Sequence, residues 1–404
     1  MSATPNPAPR TFAIMPFHAM ELVKRAHALE QQGRSIIHMS IGEPDFGAAP
    51  AVVAALATAV GQGHTQYTAA LGIAPLRQAI AKFYRDQQGI SVDAERIVIT
   101  AGASGALLLT MAALVAPGDE ILMPDPSYPC NRHFIAAFEG RAKLIACGPD
   151  TRFQLTAEMV EQHWGPQTRG VLIASPSNPT GTSIEATELK KILAVVAARD
   201  GYAIVDEIYQ SLSYEGDAAS VLTLADARMQ ERLIVVNSFS KYFNMTGWRL
   251  GWLIAPAALV PVFEKLAQNL FICPSAPAQH AALACFGPDT LTLHEQRKAE
   301  FHRRRDYIVP ALAQLRWGVP VMPDGAFYVY ADCSALLDAH IKDSDALALD
   351  LLENAGVGVV PGKDFGYHQP ERWVRMSYAT SMENLQEAIK RMAGWLARRS
   401  AAPK

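Results

Sequence analysis

The amino-acid sequence predicts an α/β protein with a mostly parallel sheet and a smaller α+β domain. Apolar, β-branched runs such as residues 97–99, 203–205 and 233–236 alternate with segments of helical spacing. These runs are apolar throughout, which is typical of a sheet that helices cover on both faces. Beyond residue 288 the composition shifts to a long charged helical segment followed by alternating strands, which indicates a second domain.

The overall composition excludes several classes of function. The chain has 404 residues, long enough for two domains, and a formal net charge of −3, which does not favour binding to nucleic acid or to an anionic membrane. The five cysteines are widely spaced, so we expect neither a disulfide framework nor a metal site. No apolar stretch reaches the length of a membrane span, and the proline-rich start does not resemble a signal peptide. We therefore expect a cytoplasmic protein.

The N-terminal part is predicted to be mostly helical. Apolar spacing indicates helices over residues 19–32, 51–61 and 74–88. Gly33 is placed to end the first helix, and a short strand over 36–39 follows it.

Two polar loops separate these elements. One is turn-rich and covers residues 40–46, and the other covers residues 66–72 and contains a single aromatic residue, Tyr67.

The middle of the chain carries the predicted sheet, with strands over residues 97–99, 121–123, 171–174, 203–205, 233–236 and 250–255. Most are followed by a loop rich in polar or small residues. Because ligands bind beyond the carboxyl ends of parallel strands, these loops are expected to form one site. Arg249 precedes its strand, and an antiparallel strand would bring it to the same edge.

One of these loops is suited to binding an anion. Residues 102–105 are Gly-Ala-Ser-Gly, and they lie between a strand and a predicted helix over 106–115. Small residues at a helix N-terminus let backbone N–H groups face a phosphate, although the same residues also make ordinary tight turns. Ser104, Ser238, Ser240 and Arg249 would add side-chain donors.

A lysine follows the strand over 233–236, and its chemistry fits the anion site. A phosphate site beside a buried lysine, Lys241, suggests pyridoxal phosphate held as a Schiff base. Asp206 could keep the ring nitrogen protonated, Tyr209 and Asn178 could face the ring hydroxyl, and Tyr128 could stack on the ring. Taken singly, Asp206 could be a helix cap, Asn178 a turn residue and Tyr128 a core residue.

The C-terminal part is predicted to be a smaller α+β domain. It comprises a helix over 290–307, strands over 326–330, 358–362 and 373–378, and a helix over 384–398. We expect three units: residues 1–50 (an arm and part of the small domain), 51–288 (the large domain) and 289–404 (the small domain).

Taken together, the motifs resemble the class I and II aminotransferases, which are pyridoxal-phosphate enzymes of fold type I and are similar to aspartate aminotransferase. The resemblance extends from Gly42 to Ala379. Its most specific part is Ser-Phe-Ser-Lys at 238–241 followed by Met-Thr-Gly-Trp-Arg-Leu-Gly at 245–251. Ser-Asn-Pro-Thr-Gly at 177–181 and Asp-Glu-Ile-Tyr at 206–209 match further family motifs in the expected order.

The resemblance implies a three-layer αβα large domain with seven strands, one of them antiparallel. It implies that Lys241 forms the internal aldimine and that Asp206 pairs with the pyridine nitrogen. Asn178 and Tyr209 would hold the ring oxygen, and Tyr128 would stack on the ring. The phosphate would be bound by Ala103, Ser104, Ser238, Ser240 and Arg249.

The resemblance also implies a substrate site and a partner. Arg375 would bind the substrate α-carboxylate, helped by the Gly42 backbone and Asn178. Tyr67 would reach the phosphate of a neighbouring subunit, so we expect a homodimer with shared sites. The Asn178–Pro179 bond would be a candidate for the cis form.

The implied reaction is ping-pong transamination between amino acids and 2-oxo acids. Lys241 would remove the Cα proton as general base and return it to the cofactor. The sequence does not identify the amino donor, and it leaves the roles of two residues undecided. Arg132 could bind a distal carboxylate or an internal acid, and Lys363 could affect specificity or be solvated.

Other functions remain possible at this point. The same fold could catalyse β-elimination, for example from cysteine conjugates. A pyridoxal-phosphate-sensing module of a transcription regulator is disfavoured, because we expect no DNA-binding domain and there is no basic excess. A serine hydrolase elbow at Ser104 would need glycine at position 106, where Ala106 stands. Gly362 and Lys363 likewise do not complete a phosphate-binding P-loop.

Overall fold

The computed structural model describes residues 6–16, 18–215 and 219–401. Its α-helices are α1 His18–Gln31, α2 Pro50–Gly61, α3 Ala74–Gln88, α4 Gly102–Leu114, α5 Pro129–Ala137, α6 Ala157–His163, α7 Ala186–Ala198, α8 Ala227–Gln230, α9 Val260–Leu270, α10 Ala276–Ala282, α11 Pro288–Gln314, α12 Ser344–Ala355 and α13 Met382–Ala401. Its strands are β1 Ile37–His38, β2 Ile97–Thr100, β3 Glu120–Asp125, β4 Arg141–Ala146, β5 Thr168–Ala174, β6 Tyr202–Asp206, β7 Leu233–Ser238, β8 Gly251–Ile254, β9 Tyr328–Asp332, β10 Val357–Gly358, β11 Val360–Pro361 and β12 Trp373–Ser377.

A seven-stranded sheet forms the centre of the molecule, with the strand order β2-β8-β7-β6-β5-β3-β4. Residues 203–205 of β6 are all buried, and they alternate between two core clusters: Ala203 and Val205 belong to one, and Ile204 belongs to the other. Helices therefore cover both faces of the sheet, which explains why its strands are apolar throughout. The predicted α/β fold class is confirmed.

Strand β8 runs antiparallel to both of its neighbours, β2 and β7. Ser238 at the end of β7 is opposite Gly251 at the start of β8. The segment that precedes β8, including Arg249, therefore lies at the carboxyl edge of the parallel strands. The expectation that an antiparallel strand would bring Arg249 to this edge is confirmed.

The C-terminal part forms a second, antiparallel sheet of β11, β12 and β9. β1 pairs in parallel with β10, so the N-terminal segment joins the C-terminal part. This pairing supports the division into residues 1–50, 51–288 and 289–404, which remains our proposal. The 27-residue helix α11 begins at Pro288, at the proposed boundary between the second and third units.

Several element bounds differ from the sequence prediction. Helix α4 begins at Gly102 rather than at residue 106, so the small residues form its first turn. Helix α5 was not predicted, because its short amphipathic pattern follows directly on a loop motif and begins at Pro129. β1 contains only two residues. Within the described ranges no helix is both long and apolar enough to cross a membrane.

Candidate active site

A cavity of about 430 Å³ opens at the carboxyl edge of the large sheet. Most of the predicted site residues line it, from both the large domain and the C-terminal part: Gly42, Ala103, Ser104, Tyr128, Asn178, Asp206, Tyr209, Ser240, Lys241, Arg249 and Arg375. Ser238 and Tyr67 do not line it. Residues from distant parts of the chain thus meet at the edge of the sheet where the parallel strands end.

The N-terminus of α4 forms an anion cradle in this cavity. No side chain caps this 13-residue helix, so its first-turn N–H groups are not satisfied by a capping group. Gly102 has φ of +72°, and a Cβ built there would lie 2.6 Å from Arg249 Nη2. A Cβ on Gly251 would lie 2.8 Å from the Ala103 nitrogen. Only glycine at these two positions lets the strand and Arg249 approach the helix so closely. The helix N–H groups and the Arg249 guanidinium together form a site that fits a phosphate group.

The two serines of the lysine motif have different surroundings. Ser240 lines the cavity, whereas Ser238 is buried at the end of β7. The Ser238 hydroxyl lies 2.9 Å from Ser240 Oγ and 3.0 Å from the Leu250 carbonyl oxygen, and it accepts the Ser240 N–H at 3.0 Å. Ser238 therefore orients Ser240 and the start of the lysine loop.

Lys241 lines the cavity, and protein surrounds the rest of its side chain. Its ammonium donates a hydrogen bond to the Gly42 carbonyl at 2.5 Å. Burial, reinforced by the nearby Arg375, lowers the pKa of Lys241 to about 8. An appreciable fraction of the amine is then neutral near pH 8, and the neutral amine is the form that acts as a nucleophile or base.

Asp206 ends β6 at the floor of the cavity. Its side chain accepts the Ile208 N–H at 3.0 Å. Burial raises the pKa of Asp206 to about 6, although the Ile208 hydrogen bond and the nearby Lys241 oppose the rise. A carboxylate this deeply buried is stabilised by a cationic N–H partner, and a protonated pyridine nitrogen is such a partner.

Tyr209 meets a residue that the sequence analysis did not single out. Its hydroxyl lies 2.8 Å from the hydroxyl of Tyr328, which begins β9 and also lines the cavity. A Cβ on Gly42 would clash with the Tyr328 hydroxyl, so glycine at position 42 lets its loop lie against the tyrosine. The alternating strand pattern at residues 326–330 was visible in the sequence, but this contact was not.

Arg375 reaches the cavity from β12 and is buried there. Its guanidinium donates to Asn178 Oδ1 at 3.1 Å and to the Ser40 carbonyl at 2.6 Å. It lies over the rings of Tyr328 and Phe365, 4.7 and 4.9 Å from their centroids. Among the described residues these two bonds use two of the five N–H donors of the guanidinium, so it has donors left for a ligand. The Asn178–Pro179 bond is cis, as expected.

The loop that carries Gly42 is held from the opposite side by α11. Arg304 donates to both carboxylate oxygens of Asp45, at 2.8 and 3.0 Å. The Arg304 side chain is only 4% exposed, and bidentate pairs of this kind fix geometry well. The loop thereby offers the Ser40 and Gly42 carbonyls to Arg375 and Lys241.

The two tyrosines predicted to contact a cofactor, Tyr128 and Tyr67, lie in different surroundings. Tyr128 is the residue that precedes α5, and its ring lines the cavity. Burial raises the pKa of its hydroxyl, so Tyr128 stays neutral. Tyr67 lies outside the cavity, and 84% of its surface is exposed.

Arg132 and Lys363, for which the sequence allowed more than one role, lie outside the cavity. Arg132 donates to the Asp364 carbonyl at 2.9 Å, and its guanidinium is 5.4 Å from the Tyr367 ring centroid. Lys363 pairs with Asp345 at 2.5 Å on the surface. Neither lines the cavity.

The sequence analysis missed the contribution of α1 to the cavity wall. Ala19, Met20 and Val23 line the cavity together with Ile41. The apolar spacing of α1 was recognised, but it could not tell which of these residues face a core and which face a ligand.

Comparisons with known proteins agree with this geometry. The family model described as aminotransferase class I and II matches residues 34–392. A valine–pyruvate aminotransferase from Mycobacterium tuberculosis is 38% identical over 95% of this chain and 97% of its own length. An aspartate aminotransferase from Rhizobium meliloti is 33% identical over 96% of this chain and 95% of its own length.

Solved structures show the same similarity. A crystal structure of an aminotransferase from Mycobacterium tuberculosis superposes with a TM-score of 0.90 at 37% identity, covering 98% of this chain and 100% of that one. The crystal structure of the aspartate aminotransferase from Rhizobium meliloti gives a TM-score of 0.91 at 32% identity, with the same coverage.

Proposed function

Because the chain belongs to the class I and II aminotransferases, and so exchanges amino groups between amino acids and 2-oxo acids, we propose that this cavity is its active site and binds pyridoxal 5′-phosphate through Lys241. The observation that carries the proposal is the convergence of three groups in one cavity. They are a lysine of lowered pKa, a buried carboxylate and an uncapped helix N-terminus beside an arginine.

The residues of the cavity fit each part of this cofactor. The first turn of α4, including Ala103 and Ser104, would bind the phosphate together with Ser240 and Arg249, and Ser238 would orient Ser240. Asp206 would hold a proton on the pyridine nitrogen. Asn178 and Tyr209 would donate to the ring hydroxyl oxygen, with Tyr328 behind Tyr209, and Tyr128 would lie against the ring. When bound, the cofactor supplies an electron sink that makes the Cα proton of an amino acid acidic.

The side chains around the cofactor then divide the work of the reaction. Lys241, whose pKa of about 8 leaves part of the amine neutral, would take the proton from the substrate Cα and deliver it to C4′ of the cofactor. Arg375 orients the substrate by its carboxylate, with Asn178 and the loop at Gly42 beside it. Asp206, ionised above pH 6, keeps the electron-accepting form of the ring.

The family does not by itself select the substrate. Valine–pyruvate and aspartate aminotransferases are both among the relatives, so either an apolar or an acidic amino acid is compatible with membership.

We also propose a homodimer in which Tyr67 reaches the neighbouring subunit's phosphate. The structure supports this with exposed apolar residues on α2 and at the end of α9: Val53, Val60, Leu270, Phe271 and Ile272. The Tyr67 loop is joined to the 270–273 segment through the Thr68 N–H, which donates to Cys273 Sγ at 3.4 Å, and α2 packs on α10. Such a patch is typical of a surface that a partner covers.

A cytoplasmic location is our further proposal. All five cysteines are free, and none is paired with another, which is usual in a reducing compartment.

A single-turnover experiment tests the function. The purified protein loaded with pyridoxal phosphate is mixed with one amino acid at a time, and the absorbance of the lysine-bound cofactor is followed together with the 2-oxo acid formed. We expect one 2-oxo acid per site and a stable aminated cofactor that a second 2-oxo acid restores. Release of pyruvate and ammonia in many turnovers without an acceptor would instead identify a β-lyase.

A further inference from the structure

We propose that the substrate side-chain subsite of this aminotransferase takes uncharged, apolar side chains, so that both the amino donor and the 2-oxo acid acceptor carry a single carboxylate. The inference rests on the proposed active site and names the class of substrate that it accepts. It follows from the residues that line one side of the cavity. This side is not formed by the residues expected to hold the cofactor.

The wall beside Arg375 is apolar. Ala19, Met20 and Val23 project from α1, and Ile41 from the loop after β1. Met20 and Ile41 line the cavity and are 49% and 36% exposed. The apolar surface that such residues present to the cavity gains by contact with an apolar ligand.

A chain of contacts puts this wall next to the expected carboxylate site. The Ala19 N–H donates to Asp364 Oδ2 at 2.7 Å. The next residue, Phe365, has its ring 4.9 Å from the Arg375 guanidinium carbon. On the other side, the Ser40 carbonyl accepts from Arg375, and Ile41 follows directly. A substrate whose α-carboxylate meets Arg375 therefore has α1 and Ile41 beside its side chain.

Among the described residues of one subunit, this wall carries no cationic side chain for a second carboxylate to bind. In the part of the chain that the structure describes, the cationic side chains lining the cavity are Lys241, Arg249 and Arg375, and the proposed function uses all three. Arg132 and Lys363 lie outside the cavity. The other acidic group that lines the cavity, besides Asp206, is Glu43, which would repel a carboxylate. A buried carboxylate without a partner is strongly disfavoured.

The inference extends to the acceptor because of the order of the reaction. In ping-pong transamination the donor leaves as a 2-oxo acid before the acceptor enters, so both substrates occupy the same subsite. A wall that rejects the side chain of aspartate or glutamate rejects oxaloacetate and 2-oxoglutarate as well. The acceptor is then a monocarboxylic 2-oxo acid such as pyruvate.

Single-turnover rates with matched amino acids test the inference. Leucine and aspartate have side chains of similar shape, as do methionine and glutamate. We expect kcat/KM to be on the order of 100-fold higher for the uncharged member of each pair, and pyruvate to restore the cofactor faster than oxaloacetate. Equal or faster reaction of aspartate or glutamate would overturn the inference while leaving the proposed function intact. Failure of every amino acid would instead contradict the proposed function.

A charge placed on the wall provides a second test. Val23→Lys adds a cation at the cavity, and Glu21→Lys adds one on the same helix at a side chain that is 66% exposed and does not line the cavity. We expect Val23→Lys to lower the leucine-to-aspartate ratio at least roughly tenfold, as expected for altered pocket contacts, while Glu21→Lys leaves it unchanged. An unchanged ratio in both variants would contradict the location of the subsite.

Discussion

Arg375 and Asn178 meet across the cavity: the guanidinium on β12 donates to the amide oxygen of a large-domain loop at 3.1 Å. This contact joins the C-terminal part to the sheet edge that carries Lys241. Arg375 also donates to the Ser40 carbonyl, so among the described residues two of its five N–H donors are in use. The guanidinium therefore has donors left for the carboxylate of a ligand in the cavity.

The first prediction concerns this site. Arg375→Ala should lower kcat/KM for an amino acid by about 100-fold or more, mostly through KM, because an ionic hydrogen-bonded pair is lost. The rate with a simple amine that lacks a carboxylate should change much less. Arg372→Lys serves as the control, because Arg372 lies three residues earlier and pairs with Asp332 outside the cavity. An Arg375→Ala enzyme with an unaltered KM would show that the α-carboxylate binds elsewhere.

The second prediction concerns Asp206. Asp206→Asn has the same shape but cannot stabilise a protonated pyridine nitrogen, so kcat should fall by on the order of 100-fold or more. The phosphate contacts at α4 are untouched, so the cofactor should stay bound, as its absorbance would report. Asp206→Glu, which keeps the charge, should recover part of the rate. Full activity of the Asp206→Asn variant would show that Asp206 does not stabilise the protonated pyridine nitrogen.

The third prediction concerns the shared active site. Tyr67→Phe removes one hydroxyl from a side chain that is 84% exposed, so stability should not change. In a dimer with shared sites, however, the dissociation constant of the cofactor should rise about tenfold, the value of one lost hydrogen bond. Equilibrium dialysis measures this constant, and light scattering measures the mass. Tyr367→Phe, at another exposed tyrosine (67%), is the matched control. An active monomer would exclude the shared site.

The fourth prediction concerns acid stability. His294 is buried, and its ring nitrogens have no partner among the described residues. Burial, with a contribution from Arg297, lowers its pKa to about 4, from about 6.5 in an unfolded chain. Between these values the unfolded state binds the additional proton. The free energy of unfolding therefore falls as the pH drops from 6.5 to 4, by at most about 1.4 kcal/mol per pH unit from this group.

Urea unfolding at a series of pH values measures this effect. His294→Leu cannot take up the proton, so its stability should decline less steeply than that of the wild type between pH 6.5 and 4.5. Parallel pH dependences in the two proteins would show that another group controls acid unfolding.

Much of the architecture could be predicted from the sequence, because the apolar pattern of a strand is visible locally and also determines how the strand is covered in the fold. Uninterrupted apolar runs such as 203–205 require cover on both faces, and parallel strands bring their carboxyl ends together. Asp206, Lys241 and Ser104 could thus be assigned to one edge. Arg249 followed from the assumption of an antiparallel strand, which β8 confirms.

Contacts between distant segments could not be predicted in the same way. The Tyr209–Tyr328 hydroxyl pair joins residues 119 positions apart, and nothing local to either marks it. The sequence equally could not separate Ser240, which lines the cavity, from Ser238, which lies behind it. The orientation of α1 depends on packing, so its apolar residues were recognised without their role in the cavity wall.

The most direct test of the central claim is chemical. The protein loaded with pyridoxal phosphate is reduced with borohydride, digested, and analysed by mass spectrometry for a peptide carrying the reduced cofactor. We predict one modified site per chain, at Lys241, and loss of the modification and of multiple-turnover activity in Lys241→Ala, whereas Lys363→Ala keeps both. Attachment at another lysine, or full multiple-turnover transamination by Lys241→Ala, would contradict the account.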